Sequence, residues 1–150
     1  MAKFVLKHPN IRLGTLSLED HASSLTIEST YDEVDFTSFC SDYREFGQGL
    51  GDATWTIDFY QDFDNNKVDE ALWGFSQSGG TFAIRATPGI GTTSALQGSA
   101  SATNPLFKMT GRLFSYSPIA GAIGDASTTT ATIRNASSSG LEKVTSGTQI

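Results

Sequence analysis

The stretch Ser24–Phe63 decides the fold, and it reads SLTIESTYDEVDFTSFCSDYREFGQGLGDATWTIDFYQDF. Apolar and polar residues alternate within it at three places, Leu25–Glu28, Val34–Thr37 and Thr54–Phe59. A period of two predicts β-strands that bury one face and leave the other to water or to a partner. Residues 31–33 break this alternation between the first two strands.

The clearest strand is Ala53–Tyr60. Its inward parity holds three large apolar side chains, Trp55, Ile57 and Phe59. Its other parity holds Thr54, Thr56 and Asp58. The apolar set is predicted to lie in the hydrophobic core, and the other set is predicted to form a polar face of the sheet.

Between the strands, Ser38–Asp52 is predicted to be a loop of about 15 residues, and loops of this length in compact domains usually have a function. It combines large apolar side chains with charged ones and with three glycines that are candidate hinges, Gly47, Gly49 and Gly51. Aromatic residues together with arginine are typical of protein–protein contacts. The contact candidates are Phe39, Tyr43, Arg44, Phe46 and Leu50. The alternative is that the loop folds back and covers the domain's own core.

The rest of the chain predicts more strands and a single helix. A hairpin turns at Gly14-Thr15, and the helix covers Asn66–Gln77, with Asp64 or Asn65 as its cap and Gly79-Gly80 at its end. Further strands are predicted at Thr81–Ala86, Leu106–Tyr116, with a bulge or close approach at Gly111, and Thr128–Arg134. The predicted class is all-β with one short helix.

The predicted domain covers residues 1–135. A second long loop, Thr87–Pro105, interrupts it, and a Ser/Gly-rich segment over residues 136–150 is predicted to be flexible. At 150 residues, one domain is the expectation. No stretch approaches the roughly 20 apolar residues that span a bilayer, so no membrane association is expected.

Charge is unevenly distributed along the chain. The formal net charge is -6, and 14 of the 16 acidic residues lie in residues 1–70. The sequence shows no basic stripe, which argues against tight nucleic-acid binding. The single cysteine, Cys40, excludes an intramolecular disulfide.

No catalytic or metal-binding pattern is recognisable. Asp62–Asn66 resembles the start of a calcium loop, but Lys67 and Trp73 occupy the positions that need Gly and Glu. His8 and His21 lack metal-ligand spacing. The chain is therefore expected to be a non-enzyme without a cofactor, whose function is assembly.

Taken in order, several stretches resemble the major tail protein, or tail tube protein, of long-tailed bacteriophages with non-contractile tails. The stretches are His21–Glu28, Asp32–Phe39, Gly49–Thr54, Thr56–Phe63, Val68–Trp73, Ser101–Phe107, Tyr116–Ile119 and Gly124-Asp125. Their order and spacing over residues 21–125 carry the resemblance. Both ends of the chain depart from it.

The resemblance implies a β-sandwich or barrel-like subunit. Such subunits form rings, commonly hexameric, that stack into a hollow tail tube through which the genome leaves. It implies a location in the virion tail after synthesis in the host cytoplasm. The implied partners are other copies of the chain, a tape measure protein and a terminator protein. The resemblance also implies that DNA passes through the lumen without specific binding.

On that resemblance, the polar side chains that alternate with the apolar ones along the strands are expected to face the lumen. The lumen candidates are Thr26, Glu28, Thr54, Thr56 and Asp58. The alternative is that these residues face outer solvent. Both long loops are expected to make ring-to-ring and subunit contacts.

Two other functions remain open at the level of sequence. One is another phage tail ring component, such as a tail terminator or an injection-tube protein. The other is a β-sandwich carbohydrate-binding module, which needs a line of exposed aromatics on one strand face. Trp55, Ile57 and Phe59 share a parity, but the mixture with Ile favours core.

Overall fold

The computed structural model describes Lys3, Leu6, residues 9–89 and residues 100–147. This part of the chain forms one α-helix, α1 (Val68–Ser78), and eight strands: β1 (Asn10–Leu13), β2 (Leu16–Ser17), β3 (Ala22–Asp35), β4 (Phe46–Tyr60), β5 (Phe82–Thr87), β6 (Leu106–Ser115), β7 (Thr128–Asn135) and β8 (Glu142–Val144). The predicted class, all-β with one short helix, is confirmed. In the described residues, no helix has the length and apolar character needed to cross a membrane.

The strands form one antiparallel sheet with the order β2-β1-β5-β6-β7-β4-β3, and β8 pairs with β6. The sheet is curled, because Ile11 on β1 and Leu25 on β3 line the same cleft although their strands lie near opposite ends of the order. One curled sheet fits the barrel-like form of the prediction better than two stacked sheets do.

The core lies on one face of this sheet. Trp55, Ile57 and Phe59 of β4 are fully buried, as their shared parity predicted. They pack with buried apolar residues of the neighbouring elements, among them Ile11, Leu13, Val68, Leu72, Ile84, Ala131 and Ile133. Burying each large side chain contributes roughly 1.5–3 kcal/mol, so this layer is the main source of stability.

Helix α1 packs on the core side of the sheet through its apolar stripe. Val68 and Leu72 are buried, and the Phe75 ring stacks on Phe82 with a centroid distance of 4.0 Å. The helix ends as predicted, at Gly79 with a φ of 59°, where the absence of a Cβ removes the steric cost of the left-handed region.

The predicted helix cap is wrong. The helix begins at Val68, and its N-cap residue, Lys67, makes no side-chain capping bond. Neither Asp64 nor Asn65 acts as the cap. Two other carboxylates bind backbone N–H groups just before the helix. Glu70 accepts from the Asn66 N–H, and Asp62 accepts from the Asp64 N–H at 2.9 Å.

The predicted loop Ser38–Asp52 is half wrong, because its second half is strand. β3 and β4 form a hairpin of 14 and 15 residues whose connection covers only residues 36–45. The sequence break at residues 31–33 is an irregularity inside a continuous β3, between Tyr31 and Glu33.

The C-terminal segment continues the sheet. β7 pairs with the second half of β6 from Gly111 to Ser115, and β8 pairs with its first half from Leu106 to Lys108. Residues 142–144 therefore belong to the sheet, although they lie beyond the predicted domain boundary at residue 135. The flexibility of the remaining segment stays a prediction, and residues 148–150 lie outside the described residues.

Gly111 marks a close approach between β6 and β7, as predicted. A Cβ built on it would lie 2.5 Å from Ile133 Cγ2 and 3.2 Å from the Arg134 carbonyl oxygen. Most of the second predicted loop, residues 90–99, lies outside the described residues.

Candidate assembly surfaces

The outer half of the β3–β4 hairpin leaves the sheet. β7 pairs with β4 only from Thr54 onward, so residues 46–52 have β3 as their only strand partner in the described chain. The paired residues run from Thr30↔Asp52 to Asp35↔Phe46. At about 3.3 Å per residue, this ribbon extends roughly 20 Å before the connecting residues 36–45. We call residues 30–52 the arm.

Three glycines let the arm's two strands lie close together. A Cβ on Gly47 would lie 2.2 Å from the Phe36 ring, and one on Gly51 would lie 2.7 Å from the Tyr31 ring. Gly49 lies beside Val34 in the same way, at 3.0 Å. The glycines are therefore covered strand positions, and the expectation that they are hinges in a loop is wrong.

All five predicted contact residues lie on the arm. Phe39, Tyr43 and Arg44 are in the connection at its tip, whereas Phe46 and Leu50 are in β4. Phe39 and Tyr43 are almost fully exposed, Leu50 is 83% exposed and Phe46 is 54% exposed. Side chains that covered the chain's own core would be buried, so this arrangement leaves the arm available to another molecule.

Sequence reasoning missed three further exposed apolar residues of the arm, Tyr31, Val34 and Phe36. Tyr31 and Val34 lie on β3, Phe36 directly follows it, and all three side chains lie against the glycines. The signal that identifies them is the spacing of Gly47, Gly49 and Gly51, because glycine at every second position of a strand leaves room for large cross-strand neighbours.

The five predicted lumen residues also lie together. Thr26 pairs with Thr56, and Glu28 pairs with Thr54, on the face of the sheet opposite the core. β7 extends this surface, since Thr56 pairs with Thr132 and Asp58 with Thr130. We call this surface the threonine face, and its members are Thr26, Glu28, Thr54, Thr56, Asp58, Thr130 and Thr132.

Asp58 lies within a hydrogen-bond network on this face. It accepts from Ser24 Oγ at 2.6 Å and from Thr130 Oγ1 at 2.5 Å. The bond from Ser24, with that from Thr130, holds the pKa of Asp58 below its ordinary value. The carboxylate therefore stays ionised and fixed between its two neighbouring strands.

The fold also assembles basic residues that the sequence keeps apart. Arg85 pairs with Arg12 on one side and with Lys108 on the other, and Arg112 pairs with Arg134. Cross-strand partners point to the same face, which here is the face opposite the core. The expectation of no basic stripe is wrong, since these five residues form two basic rows.

Each basic row has one recorded carboxylate partner among the described residues. Lys108 pairs with Glu142 at 2.9 Å, and Arg134 pairs with Asp52 at the base of the arm. No ion pair is recorded for Arg12, Arg85 or Arg112 in the described part of the chain, and Arg12 Nε is buried without a hydrogen-bond partner.

Two polar clusters hold helix α1 and the turns beside it. His21 bonds Asp20 at 2.6 Å and Asp62 at 2.8 Å. Burial lowers the pKa of His21, but the bonds to Asp20 and Asp62 outweigh burial and raise it above its ordinary value.

The second cluster centres on Tyr116. Its hydroxyl donates to Asp69 Oδ1 at 2.6 Å and accepts from Gln61 Nε2 at 2.9 Å. Burial, reinforced by Asp69, raises the pKa of Tyr116 to about 12. Both clusters position the helix and have no contact with the arm.

No family model matches this chain, and no curated protein matches it. Several chains in solved structures share its fold, two of them as follows. A chain from the virion of a native gene transfer agent particle has a TM-score of 0.66 and 16% identity, covering 91% of this chain and 95% of that one. A chain from the tail of an empty particle of this kind, computed with helical refinement and C6 symmetry, has a TM-score of 0.61 and 16% identity, covering 81% of both chains.

Proposed function

We propose that this chain is a structural virion protein that assembles as stacked hexameric rings into the hollow tail tube of a phage-like particle. The tube would be the conduit for genome delivery. The observation that carries the proposal is the exposed apolar arm, on a fold that is shared with chains of a tail and a virion.

The arm supports assembly because it is ill-suited to a monomer in water. A two-stranded ribbon without further partners is only marginally stable. This one exposes Tyr31, Val34, Phe36, Phe39, Tyr43, Phe46 and Leu50. Large exposed apolar surfaces of this kind mark interaction sites. In the assembled tube, the arm would be buried against neighbouring copies.

The threonine face is proposed to line the lumen. Hydroxyl side chains keep such a surface wet, and Asp58 and Glu28 add negative charge that repels DNA phosphates. Arg134 is paired with Asp52, which limits its attraction for DNA. This surface would let DNA pass without specific binding.

The test of tube formation is an arm-less variant. Thr30 pairs with Asp52, so replacing residues 31–51 by Asn-Gly closes the hairpin with a favoured two-residue turn and leaves the sheet unchanged. Circular dichroism and a thermal melt establish folding, and negative-stain electron microscopy with sedimentation measures assembly. We expect the full chain to form hollow tubes and the variant to be a folded monomer.

Leu18→Ala is the control for general destabilisation, since Leu18 is buried in the core and lies beside the start of β3, at the end of that strand opposite the arm. It should weaken the fold and still form tubes below its melting temperature. Tubes of normal length from the arm-less variant would contradict the proposal.

The lumen assignment has a separate test. Glu28→Lys combined with Thr56→Lys adds cations to the threonine face, whereas Gln77→Lys adds one to an exposed position of helix α1. Tubes carrying the double substitution should retain DNA, and tubes of the control should not. Equal DNA retention by both would place the threonine face on the outside.

A tail terminator or another tail ring component is the main competing function. It predicts single rings instead of long tubes in the same images. The carbohydrate-binding alternative is disfavoured because Trp55, Ile57 and Phe59 are fully buried, which leaves no aromatic line on that strand. Tape measure and terminator proteins stay proposed partners.

A further inference from the structure

We propose that the basic rows receive the acidic arm of an adjacent copy of this chain. The inference rests on the proposed assembly and specifies which surface the arm contacts. The two surfaces have opposite charge. The arm's carboxylate residues are exposed, whereas Arg12, Arg85 and Lys108 of the first row are partly exposed.

The basic rows are electrostatically unfavourable by themselves. Like charges directly opposite each other on neighbouring strands destabilise a sheet. Arg12, Arg85 and Lys108 are aligned in this way over three strands, and the recorded Lys108–Glu142 pair accounts for only one of them. A row of this kind is favourable only where further carboxylates or another anion cover it.

The arm carries the matching charge. Between residues 30 and 50 it holds five carboxylates and one base, Arg44. The carboxylates are Asp32, Glu33, Asp35, Asp42 and Glu45, and all five residues are exposed. Complementary charges of this kind guide association and set the register of the contact.

The chain already contains one contact of the proposed type. Asp52, at the base of the arm, pairs with Arg134, the outermost residue of the second row. An arm carboxylate meeting a guanidinium of the rows is therefore compatible with the local backbone. In the proposed contact, carboxylates along the arm of one copy pair in the same way with the basic rows of an adjacent copy.

A copy's own arm is directed away from its first row. Along the sheet, β6 and β7 separate β4 from β5, the strand that carries Arg85. At about 4.8 Å between strands, β5 is roughly 15 Å from β4. The arm continues along its own strands instead of crossing the sheet.

An adjacent copy has the required geometry. Thr54 is level with Arg134, and Arg134 is level with Arg112. β6 runs in the same direction as β4, so Lys108 lies four residues further towards the arm end, level with the base of the arm. A copy placed beside the β2–β1 edge would bring its arm alongside the row formed by Arg12, Arg85 and Lys108.

DNA is the competing anion for these rows. Asp52 and Glu142 already occupy part of them, and Glu28 and Asp58 share their face of the sheet. A duplex would meet those carboxylates together with the bases, whereas a narrow arm can reach the bases alone. The arm is therefore the favoured occupant, and DNA binding is an outcome of the test.

Charge reversal with rescue tests the contact. Arg85→Glu with Arg112→Glu should lower tube yield at least about tenfold, because like charges then face the arm. Adding Asp32→Arg and Glu33→Arg should restore most of it. Lys143→Glu is the control, since Lys143 is an exposed base on β8 outside the rows, and it should assemble normally.

The native thiol provides an independent readout. Cys40 is free and exposed at the tip of the arm. A benzophenone maleimide attached there should, after irradiation of assembled tubes, cross-link to β1, β5 or β6 of another copy. Cross-links confined to residues 116–127, or to α1, would overturn the proposal.

The outcomes separate this inference from the proposed function. If the arm-less variant fails to assemble while the charge-reversed rows form normal tubes, the tube proposal stands and the contact proposed here is wrong. If the reversal leaves tubes intact and abolishes binding of a DNA duplex to them, the rows serve DNA and the inference is likewise overturned.

Discussion

The two halves of the β3–β4 hairpin belong to the same two strands but differ in strand pairing and in burial. In the inner half, residues 54–59 of β4 are paired on both sides and alternate strictly between core and polar face. In the arm, residues 46–52 pair on one side only, and none of them is buried. Stability comes from the inner half, and the outer half carries the exposed surface that we propose for assembly.

The difference shows what a strand needs from its surroundings. Trp55 and Phe59 contribute because helix α1 and the neighbouring strands enclose them. Phe46 and Leu50 are equally apolar, but no described part of the chain covers them. The same chemistry therefore stabilises the monomer at one end of the hairpin and is available to a partner at the other.

The largest expected effect is the difference between an alanine substitution in the inner half of the hairpin and one in the arm. Phe59→Ala should lower the free energy of unfolding by about 3–5 kcal/mol, because it leaves a cavity in the core. Leu50→Ala should change it by no more than about 0.5 kcal/mol. Chemical denaturation of the monomers measures both. A large loss of stability from Leu50→Ala would mean that the arm packs on its own chain.

A smaller effect distinguishes glycines of the packed sheet from those of the arm. Gly111→Ala forces a methyl group against Ile133 and the Arg134 backbone, and it should cost about 1–3 kcal/mol. Gly47→Ala meets only the exposed Phe36 ring, which can rotate away. Its melting temperature should stay close to that of the parent chain, and equal losses would refute the distinction.

Tyr116→Phe tests the connection between helix and sheet. It removes the bonds to Asp69 and Gln61 without changing the ring, and it should cost roughly 1–2 kcal/mol in unfolding experiments. Tube formation should persist, because the cluster has no contact with the arm. Loss of tubes from a stably folded Tyr116→Phe chain would link the helix to assembly.

The smallest effect is the pH dependence from His21. Its folded pKa is raised above 6.5, so the stabilisation is fully present below pH 6.5 and is lost as pH rises through the folded value. Lys67, which lies 3.6 Å from Asp20, opposes the effect. His21→Asn should remove this slope from melts between pH 5 and about pH 9. An unchanged slope would assign it to another group.

Much of the fold was predictable from periodicity. Alternation identified the inward set of Trp55, Ile57 and Phe59. The outer half of β4 was not recognised, because Gly47, Gly49 and Gly51 have no side chains with which to show alternation. Their strand character depends on Tyr31 and Phe36, which lie across the ribbon.

The candidate surfaces were predictable in part. The candidate contact and lumen residues could be grouped from local composition and parity, because each set lies within one hairpin, and their roles stay predictions. The basic rows were not, since Arg12, Arg85 and Lys108 come from distant segments and meet only through strand order. The register that aligns them follows from the complete topology, which local patterns do not contain.

The most direct test of the account is electron cryo-microscopy of the purified full chain at increasing concentration. The account predicts hollow six-fold tubes in which residues 30–52 are enclosed by neighbouring copies. A chain that stays monomeric at every concentration, or a tube in which the arm remains in solvent, would contradict the claim that the arm makes this protein a tube subunit.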